Sequence, residues 1–134
     1  MPEAEPASIL DASALIAYLH DEPGADAVVD AITAGAAVSV VNWAEALSKV
    51  ATDGDDPQLV AEHLQASDSP LFLEPLTDAD CIEIARLRPL TKARGLSLAD
   101  RACLALSKRL NIPIVTADRE WADLEVGVSV QLIR

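Results

Sequence analysis

Aromatic side chains are scarce in this chain, making up 3% of its 134 residues. Only two Trp, one Tyr and one Phe are present. Hydrophobic residues nevertheless account for 51% of the sequence, which is ample for one core built from Ala, Val, Leu and Ile. The length fits one compact domain. We therefore expect residues 1–134 to form a single domain.

Long apolar runs are also missing. No stretch approaches the roughly 20 apolar residues that a membrane-spanning helix needs. The N-terminal residues include Glu3 and Glu5, whereas a signal peptide begins with basic residues and continues with apolar ones. These absences predict a cytoplasmic protein that does not enter a membrane.

Cysteine is nearly absent. Cys81 and Cys103 lie 22 residues apart, which forms neither a CxxC motif nor a disulfide framework. Both stand among apolar residues of a helical pattern, so we expect buried, reduced thiols. His20 and His63 are isolated and are predicted to be exposed. The sequence therefore offers no cluster of ligands for zinc.

Basic residues are outnumbered, because ten Lys and Arg stand against 22 Asp and Glu, for a net charge of −12. Such a charge argues against a protein that simply coats nucleic acid. The basic residues are concentrated, however: none precedes Lys49, and seven fall between residues 86 and 109. This segment could hold a polyanion locally, especially if cations fill an acidic pocket.

Short apolar runs alternate with helical patterns along the chain, which is typical of an α/β fold with a mainly parallel central sheet. Asn42 is predicted to cap the third helix, and residues 89–95 are expected to form a basic connection. The predicted strands cover residues 8–10, 36–41, 71–73, 112–115 and 128–133. The predicted helices cover residues 12–19, 24–34, 43–51, 58–66, 77–87 and 97–110.

Four acidic residues, far apart in the sequence, fall at equivalent places in this pattern. Asp11 follows the first strand directly, and Asp118 comes three residues after the strand that ends at Val115. Glu45 and Asp100 lie in the first turns of predicted helices. Ligands of open parallel sheets bind beyond the carboxyl ends of the strands. These carboxylates are therefore candidates for one site.

Each acid, taken alone, also has a structural explanation. Asp11 and Asp118 could be N-terminal helix residues favoured by the helix dipole. Glu45 stands three residues after Asn42, which is the spacing of a helix capping box, and it could also pair with Lys49 four residues later. Asp100 stands in the same relation to Ser97. Asp100 fits this explanation least well, because it lies beside the apolar stripe of its helix, with Cys103 three residues on. A carboxylate pressed toward a core is costly unless its charge is compensated.

If these carboxylates converge, either some of them are protonated or a cation binds, because like charges a few ångströms apart repel. Carboxylate oxygens with room for water suit Mg²⁺ or Mn²⁺. Such a metal ion lowers the pKa of a bound water and stabilises the leaving oxygen in phosphoryl chemistry, so no side-chain nucleophile is needed. The four acids therefore predict metal-assisted chemistry on a phosphate ester.

Four sequence motifs resemble the PIN-domain family. Their order and spacing, together with the length of the chain, resemble the VapC-type toxins of bacterial toxin–antitoxin modules, and the resemblance covers nearly the whole sequence. The motifs are ILDAS at residues 9–13, NWAE at 42–45, GLSLADR at 95–101 and TADREW at 116–121.

The resemblance implies a three-layer α/β/α sandwich and an endoribonuclease that depends on Mg²⁺ or Mn²⁺. It also implies an RNA substrate, a homodimer and inhibition by a small antitoxin protein. Ser13 and Thr116 match small hydroxyl positions of the family, where they would hold a carboxylate or a water on the metal; local backbone capping is the alternative. The acidic metal-binding positions of the family are matched by Asp11, Glu45, Asp100 and Asp118.

Because aromatic residues are few, we expect RNA to be held by charge rather than by base stacking. The antitoxin is expected to place an Arg or Lys among the four acids, since the planar Arg side chain pairs well with carboxylates. The candidate RNA contacts are Lys49, Arg86, Arg88, Lys92, Arg94 and Arg101, with a solvated basic face as the alternative.

Three other interpretations compete with this one. A phosphatase of the haloacid dehalogenase type also begins with a strand followed by Asp, but it needs a second Asp two residues later, where this chain has Ser13. A catalytically inactive PIN-like module could bind RNA or protein, although the presence of all four acids argues against lost catalysis. The last is an Ala-rich α/β domain whose acids only cap helices.

Overall fold

Five short parallel strands form the central sheet in a computed structural model, which describes residues 5–134. The strands are β1 (Ser8–Leu10), β2 (Ala36–Ser39), β3 (Phe72–Glu74), β4 (Ile114–Thr116) and β5 (Val130–Leu132). The helices are α1 (Ala12–Leu19), α2 (Ala25–Ala34), α3 (Val40–Thr52), α4 (Pro57–Gln65), α5 (Asp78–Thr91) and α6 (Leu98–Leu110). The order β3-β2-β1-β4-β5 puts β1 at the centre of the sheet. The predicted α/β fold is confirmed.

Alternate residues of the central strands face opposite sides of the sheet. Ile9 and Ile114 enter a core that they share with α5, α6 and the buried Trp121. Leu10 and Val115 enter a second core with residues of α1, α2, α3 and α4. Helices therefore cover both faces of the sheet, as the three-layer prediction requires. Along residues 5–134, no helix has both the length and the apolar character of a membrane span.

The junction between β2 and α3 differs from the prediction. β2 ends at Ser39, and α3 begins at Val40. The strand was predicted to continue to residue 41, because Val40 and Val41 are both β-branched. The Ser39 side chain caps the helix by accepting the backbone N–H of Asn42 at 3.1 Å. This cap outweighs the weak strand preference of the two valines. Asn42 is therefore not the cap, and Glu45 lies in the second turn of α3 rather than the first.

Helix α5 is longer than predicted. It continues through Pro89 to Thr91, and a short 3₁₀ turn follows over Lys92–Arg94, so residues 89–95 are not an irregular connection. Buried Leu87 and Thr91 hold this last part of the helix, since the Thr91 hydroxyl donates to the Leu87 carbonyl at 2.8 Å. Pro89 is exposed, so its ring disturbs no packed neighbour.

Only one of the two cysteines is buried. Cys103 lies in the core on α6, whereas Cys81 is exposed on α5, contrary to the prediction. The apolar residues of α5 are not confined to one side of the helix, and Ile82 and Leu90 are exposed as well. An apolar sequence neighbourhood therefore did not indicate burial at Cys81.

Candidate active site

Asp11 lies at the carboxyl end of the central strand and is 4% exposed. It also caps α1, because its Oδ1 accepts the backbone N–H of Ala14 at 2.9 Å and the hydroxyl of Ser13 at 2.7 Å. Its Oδ2 accepts the hydroxyl of Thr116 at 2.5 Å. Donors from the ends of two neighbouring strands thus fix both carboxylate oxygens.

Ser13 and Thr116 connect the segments that follow β1 and β4. Each hydroxyl bonds both within its own segment and to the other segment. Ser13 Oγ accepts the backbone N–H of Ala117 at 3.0 Å and lies 3.2 Å from Thr116 Oγ1. Thr116 Oγ1 accepts the backbone N–H of Asp118 at 3.0 Å. Local capping is therefore only part of what these hydroxyls do.

Asp118 begins the 3₁₀ turn Arg119–Trp121, and its Oδ1 accepts the backbone N–H of Glu120 at 3.0 Å. Its connection to Asp11 runs through Thr116, which bonds to both residues. The half-buried carboxylate thus sits beyond the end of β4, next to the strand that Asp11 follows.

Asp100 and Glu45 belong to two different helices, α6 and α3. Asp100 forms the predicted capping box with Ser97, since the two residues exchange bonds of 3.1 and 2.9 Å between side chain and backbone. Glu45 does not pair with Lys49, whose Nζ instead lies 3.2 Å from Asp53 Oδ1. Glu45 is exposed and is the acid least constrained by neighbours.

Burial raises the pKa of the Asp11 carboxyl, because desolvation disfavours the charged form. The hydroxyls of Thr116 and Ser13 oppose this rise in pKa, since both donate to the carboxylate. The negative charge of Asp100 raises the pKa of Asp11 further.

The same electrostatic neighbourhood includes Glu45. Partial burial raises the pKa of its carboxyl, and the charges of Asp100 and Asp11 add to the rise. The side chain of Asn42 acts in the opposite direction and favours the ionised Glu45. Three carboxylates carried by separate elements therefore repel one another.

The buried thiol of Cys103 is affected by the same three acids. Its thiol is buried in α6, and burial is the main reason that the pKa of the thiol lies well above its ordinary value. The charges of Asp11, Asp100 and Glu45 raise that pKa further. The three acids therefore lie close enough to this buried thiol to disfavour its ionised form.

The chemistry of the donor set fits a hard divalent cation. Among residues 5–134, no ion pair within 4.0 Å includes any of the four acids, so no basic side chain offsets their charge. Carboxylates in this situation favour Mg²⁺ or Mn²⁺. In the described part of the chain, however, no three Asp, Glu, His or Cys side chains are grouped closely enough to hold a metal ion. Cation binding would require side-chain movement, for which Glu45 has the most freedom.

Several basic residues named as RNA contacts have partners within the protein. Arg94 lies 2.5 Å from Asp123, and Lys49 pairs with Asp53. Arg101 donates to the backbone carbonyl of residue 84 at 2.9 Å. The more exposed candidates of the basic segment are Arg86, Arg88 and Lys92.

Asn42 has a role in the structure that the sequence analysis missed. It is 1% exposed, and its Nδ2 donates to the backbone carbonyl of Ala99 at 3.0 Å. Its Oδ1 accepts the Ser39 hydroxyl at 2.7 Å. Asn42 thus joins α3 to the first turn of α6, beside Asp100. Its spacing before Glu45 was the only sequence signal, and that spacing also suits a capping residue.

Comparison with known proteins adds family information to this geometry. The family model of the PIN domain matches residues 8–127. No curated protein sequence gives a significant match. At the identities found for solved structures, the likeness concerns the fold.

Three of the similar structures illustrate this likeness. A toxin–antitoxin complex from Klebsiella pneumoniae is 17% identical, with a TM-score of 0.71 over 95% of this chain and 98% of that chain. FitAcB from Neisseria gonorrhoeae is 24% identical, with a TM-score of 0.68 over 94% and 97%. DNA-bound VapBC from Salmonella typhimurium is 13% identical, with a TM-score of 0.73 over 97% and 100%.

Proposed function

Because the chain belongs to the PIN-domain family, we propose that it is a metal-dependent endoribonuclease and the toxin of a VapC-type toxin–antitoxin pair. The observation that carries the proposal is the group of Asp11, Glu45 and Asp100, in which the charge of Asp100 raises the pKa of both other acids. Within residues 5–134, none of these acids forms an ion pair with a basic side chain. The similar structures, which include VapBC and FitAB complexes, support the assignment to this kind of pair. We further propose that residues 1–134 act as one cytoplasmic domain.

Asp11, Glu45, Asp100 and Asp118 would hold Mg²⁺ or Mn²⁺. When bound, the ion supplies an acidified water and stabilises negative charge on the phosphate oxygens. The protein contributes the hydrogen bonds that favour ionised carboxylates and leave their oxygens free for the ion. Thr116 and Ser13 donate to Asp11, which favours its ionised form against the effect of burial. Ser97 engages one oxygen of Asp100 and so leaves the second oxygen available as a ligand.

RNA would be held beside these acids by charge. Of the basic residues predicted as contacts, Arg86, Arg88 and Lys92 are the more exposed. Their positive charge would offset the net charge of −12 along the path of the RNA. We also propose a homodimer, and an antitoxin that inserts an Arg or Lys among the acids, where it would replace the cation.

The test is RNA cleavage by the purified protein with Mg²⁺ or Mn²⁺ over a range of concentrations. We expect cleavage of single-stranded RNA that stops with a chelator and returns when Mn²⁺ is added back. Mapping the 5′ ends of the products would identify the sites of cleavage. RNA that remains intact at every metal concentration, with a protein that is folded by circular dichroism, would contradict nuclease function.

A second candidate is a PIN-like module that binds RNA or protein without cleaving it. The observation that favours it is the lack, within residues 5–134, of three potential ligands already grouped for a metal. Equilibrium binding to the same RNA separates the two functions. A binding module would retain RNA in the presence of a chelator and leave it uncut when Mn²⁺ is added.

A further inference from the structure

A buried amide joins the two helices that carry Glu45 and Asp100. Asn42 lies one helical turn before Glu45 on α3, and its Nδ2 donates to the carbonyl of Ala99, the residue directly before Asp100 on α6. The two bonded residues are 57 positions apart in the sequence. The bond therefore connects points adjacent to both acids, and a shift of either helix would change the separation of the carboxylates.

The chemistry of this position suits Asn in particular. An Asn amide provides an acceptor oxygen and two N–H donors. Asn42 Oδ1 accepts the Ser39 hydroxyl at 2.7 Å, and Ser39 Oγ in turn accepts the Asn42 backbone N–H at 3.1 Å. Both side chains are essentially inaccessible to water, so a lost bond here leaves a buried polar group unsatisfied. These bonds hold the amide in one orientation, with its Nδ2 directed at α6.

The Asn42 side chain does not cap its own helix. Capping of α3, the role suggested by the sequence, belongs instead to Ser39.

We propose that Asn42 is a positioning residue that fixes α3 against α6 and thereby sets the separation of Glu45 and Asp100. This inference rests on the proposed function, in which those two acids share a cation. Outer residues that orient metal ligands commonly change metal affinity by about 10- to 100-fold when they are replaced. Asn42 touches no substrate in this role and acts only through the placement of the acids.

Ser107 provides a matched control on the same helix. Its hydroxyl is buried and donates to the backbone carbonyl of Ile112 at 2.6 Å, so Ser107→Ala also removes a buried bond from side chain to backbone. Ser107 lies seven residues beyond Asp100, about 10 Å along a helix, and its bond does not involve α3. Ser107→Ala removes one buried side-chain bond and Asn42→Ala removes two, but only the Asn42 bonds involve the helix that carries Glu45.

The experiment compares Asn42→Ala, Asn42→Asp and Ser107→Ala with the wild type, by crystal structure, thermal unfolding and Mn²⁺ titration calorimetry. Asn42→Asp keeps the acceptor for Ser39 but loses the donor to Ala99, and it provides a near-isosteric variant if the Ala variant fails to fold. We expect both Asn42 variants to move α3 relative to α6, and Asn42→Ala to weaken Mn²⁺ binding at least about tenfold. Asn42→Asp also adds a carboxylate, so it is compared by crystal structure and not by Mn²⁺ affinity. Ser107→Ala should keep the wild-type spacing of the acids and bind Mn²⁺ within about twofold of the wild type.

The two readouts separate this inference from the proposed function. A wild-type protein that binds no Mn²⁺ would contradict the metal-dependent function. The crystal structures would still test whether Asn42 fixes the position of α3 relative to α6. Unchanged separation of Glu45 and Asp100 in the Asn42 variants would overturn the positioning role. Equal loss of Mn²⁺ affinity in Ser107→Ala, at equal loss of stability, would overturn it as well.

Discussion

The hydroxyl of Thr116 donates to Oδ2 of Asp11 and so joins the ends of β4 and β1, two residues that are 105 positions apart in the sequence. Thr116 is fully buried and Asp11 nearly so. A bond from a buried hydroxyl to a carboxylate contributes more than a neutral one, because one partner is charged. This bond makes the packing of the sheet depend on the same carboxylate that the proposed chemistry uses.

Replacing Thr116 by Val keeps the shape of the side chain but removes this donor, together with the acceptor for the backbone N–H of Asp118. We expect the free energy of unfolding to fall by about 1.5–3 kcal/mol, the range for hydrogen bonds to charged groups. Urea denaturation measures the change. The control is Thr33→Val, since the exposed Thr33 hydroxyl bonds only to the carbonyl of Val29 within α2. An equal loss of stability in both variants would show that the bond to Asp11 contributes no more to the free energy of unfolding than an exposed bond does.

Burial of Asp11 predicts how stability depends on pH without metal. Its folded-state pKa is raised, so the native state binds the proton more tightly than the unfolded state. Its contribution to stability is therefore complete below the ordinary Asp pKa of about 3.9 and is lost as the pH rises through the raised value. The Asp11→Asn variant has no carboxyl group at this position, so this pH dependence of stability is absent from it.

In urea denaturation with a chelator, the stability of Asp11→Asn relative to the wild type should consequently increase from about pH 4 to pH 7. The comparison of the two proteins cancels Asp80, whose lowered pKa acts with the opposite sign in both. A difference in stability that stays constant across this range would contradict the raised pKa.

Asp100→Asn should abolish RNA cleavage while the protein stays folded. The new amide oxygen can still accept the Ser97 N–H in the capping box, so we expect an unfolding free energy within about 1 kcal/mol of the wild type. The loss of a charged ligand should lower the cleavage rate at least about a hundredfold in saturating Mg²⁺. Asp26→Asn, in the first turn of α2, is the matched control and should keep full activity. Full activity of Asp100→Asn at saturating metal would exclude the proposed role.

The exposed basic residues predict the salt dependence of RNA binding. Arg88→Gln combined with Lys92→Gln should weaken binding several-fold and reduce the slope of log affinity against log salt by about 1.4, since each phosphate contact to single-stranded RNA contributes about 0.7. Fluorescence anisotropy at several salt concentrations measures both values. Lys108→Gln is the control, because Lys108 is already paired with Glu83 at 2.5 Å. A wild-type slope near zero would indicate that charge does not hold the RNA.

The parallel sheet and the succession of strands and helices along the chain could be predicted because short apolar runs and helical periodicity are local signals. The end of β2 could not, because two valines favour strand while the cap at Ser39 favours helix, and the balance depends on the final packing. Burial of Cys81 was wrong for a related reason, since the apolar residues of α5 do not mark its inner face.

The candidate acids could be chosen from the sequence because each follows a strand or begins a helix in the predicted pattern, although Glu45 lies one turn further into α3 than predicted. Their partners could not be chosen in this way. Lys49 stands four residues from both Glu45 and Asp53, and the structure pairs it with Asp53. The bond from Asn42 to Ala99 spans 57 residues and leaves no periodic trace in the sequence.

The contrast between Asp11 and Glu45 has an evolutionary consequence. Asp11 caps a helix and joins two strands. If the proposed toxin function holds, a mutation of Asp11 that removes the activity also removes these bonds, and the weakened protein is degraded more readily. Glu45 is exposed and has no ion-pair partner within residues 5–134, so its loss would silence the activity and preserve the fold. Inactive descendants that persist as folded proteins, still able to occupy an antitoxin, should therefore have lost Glu45 more often than Asp11.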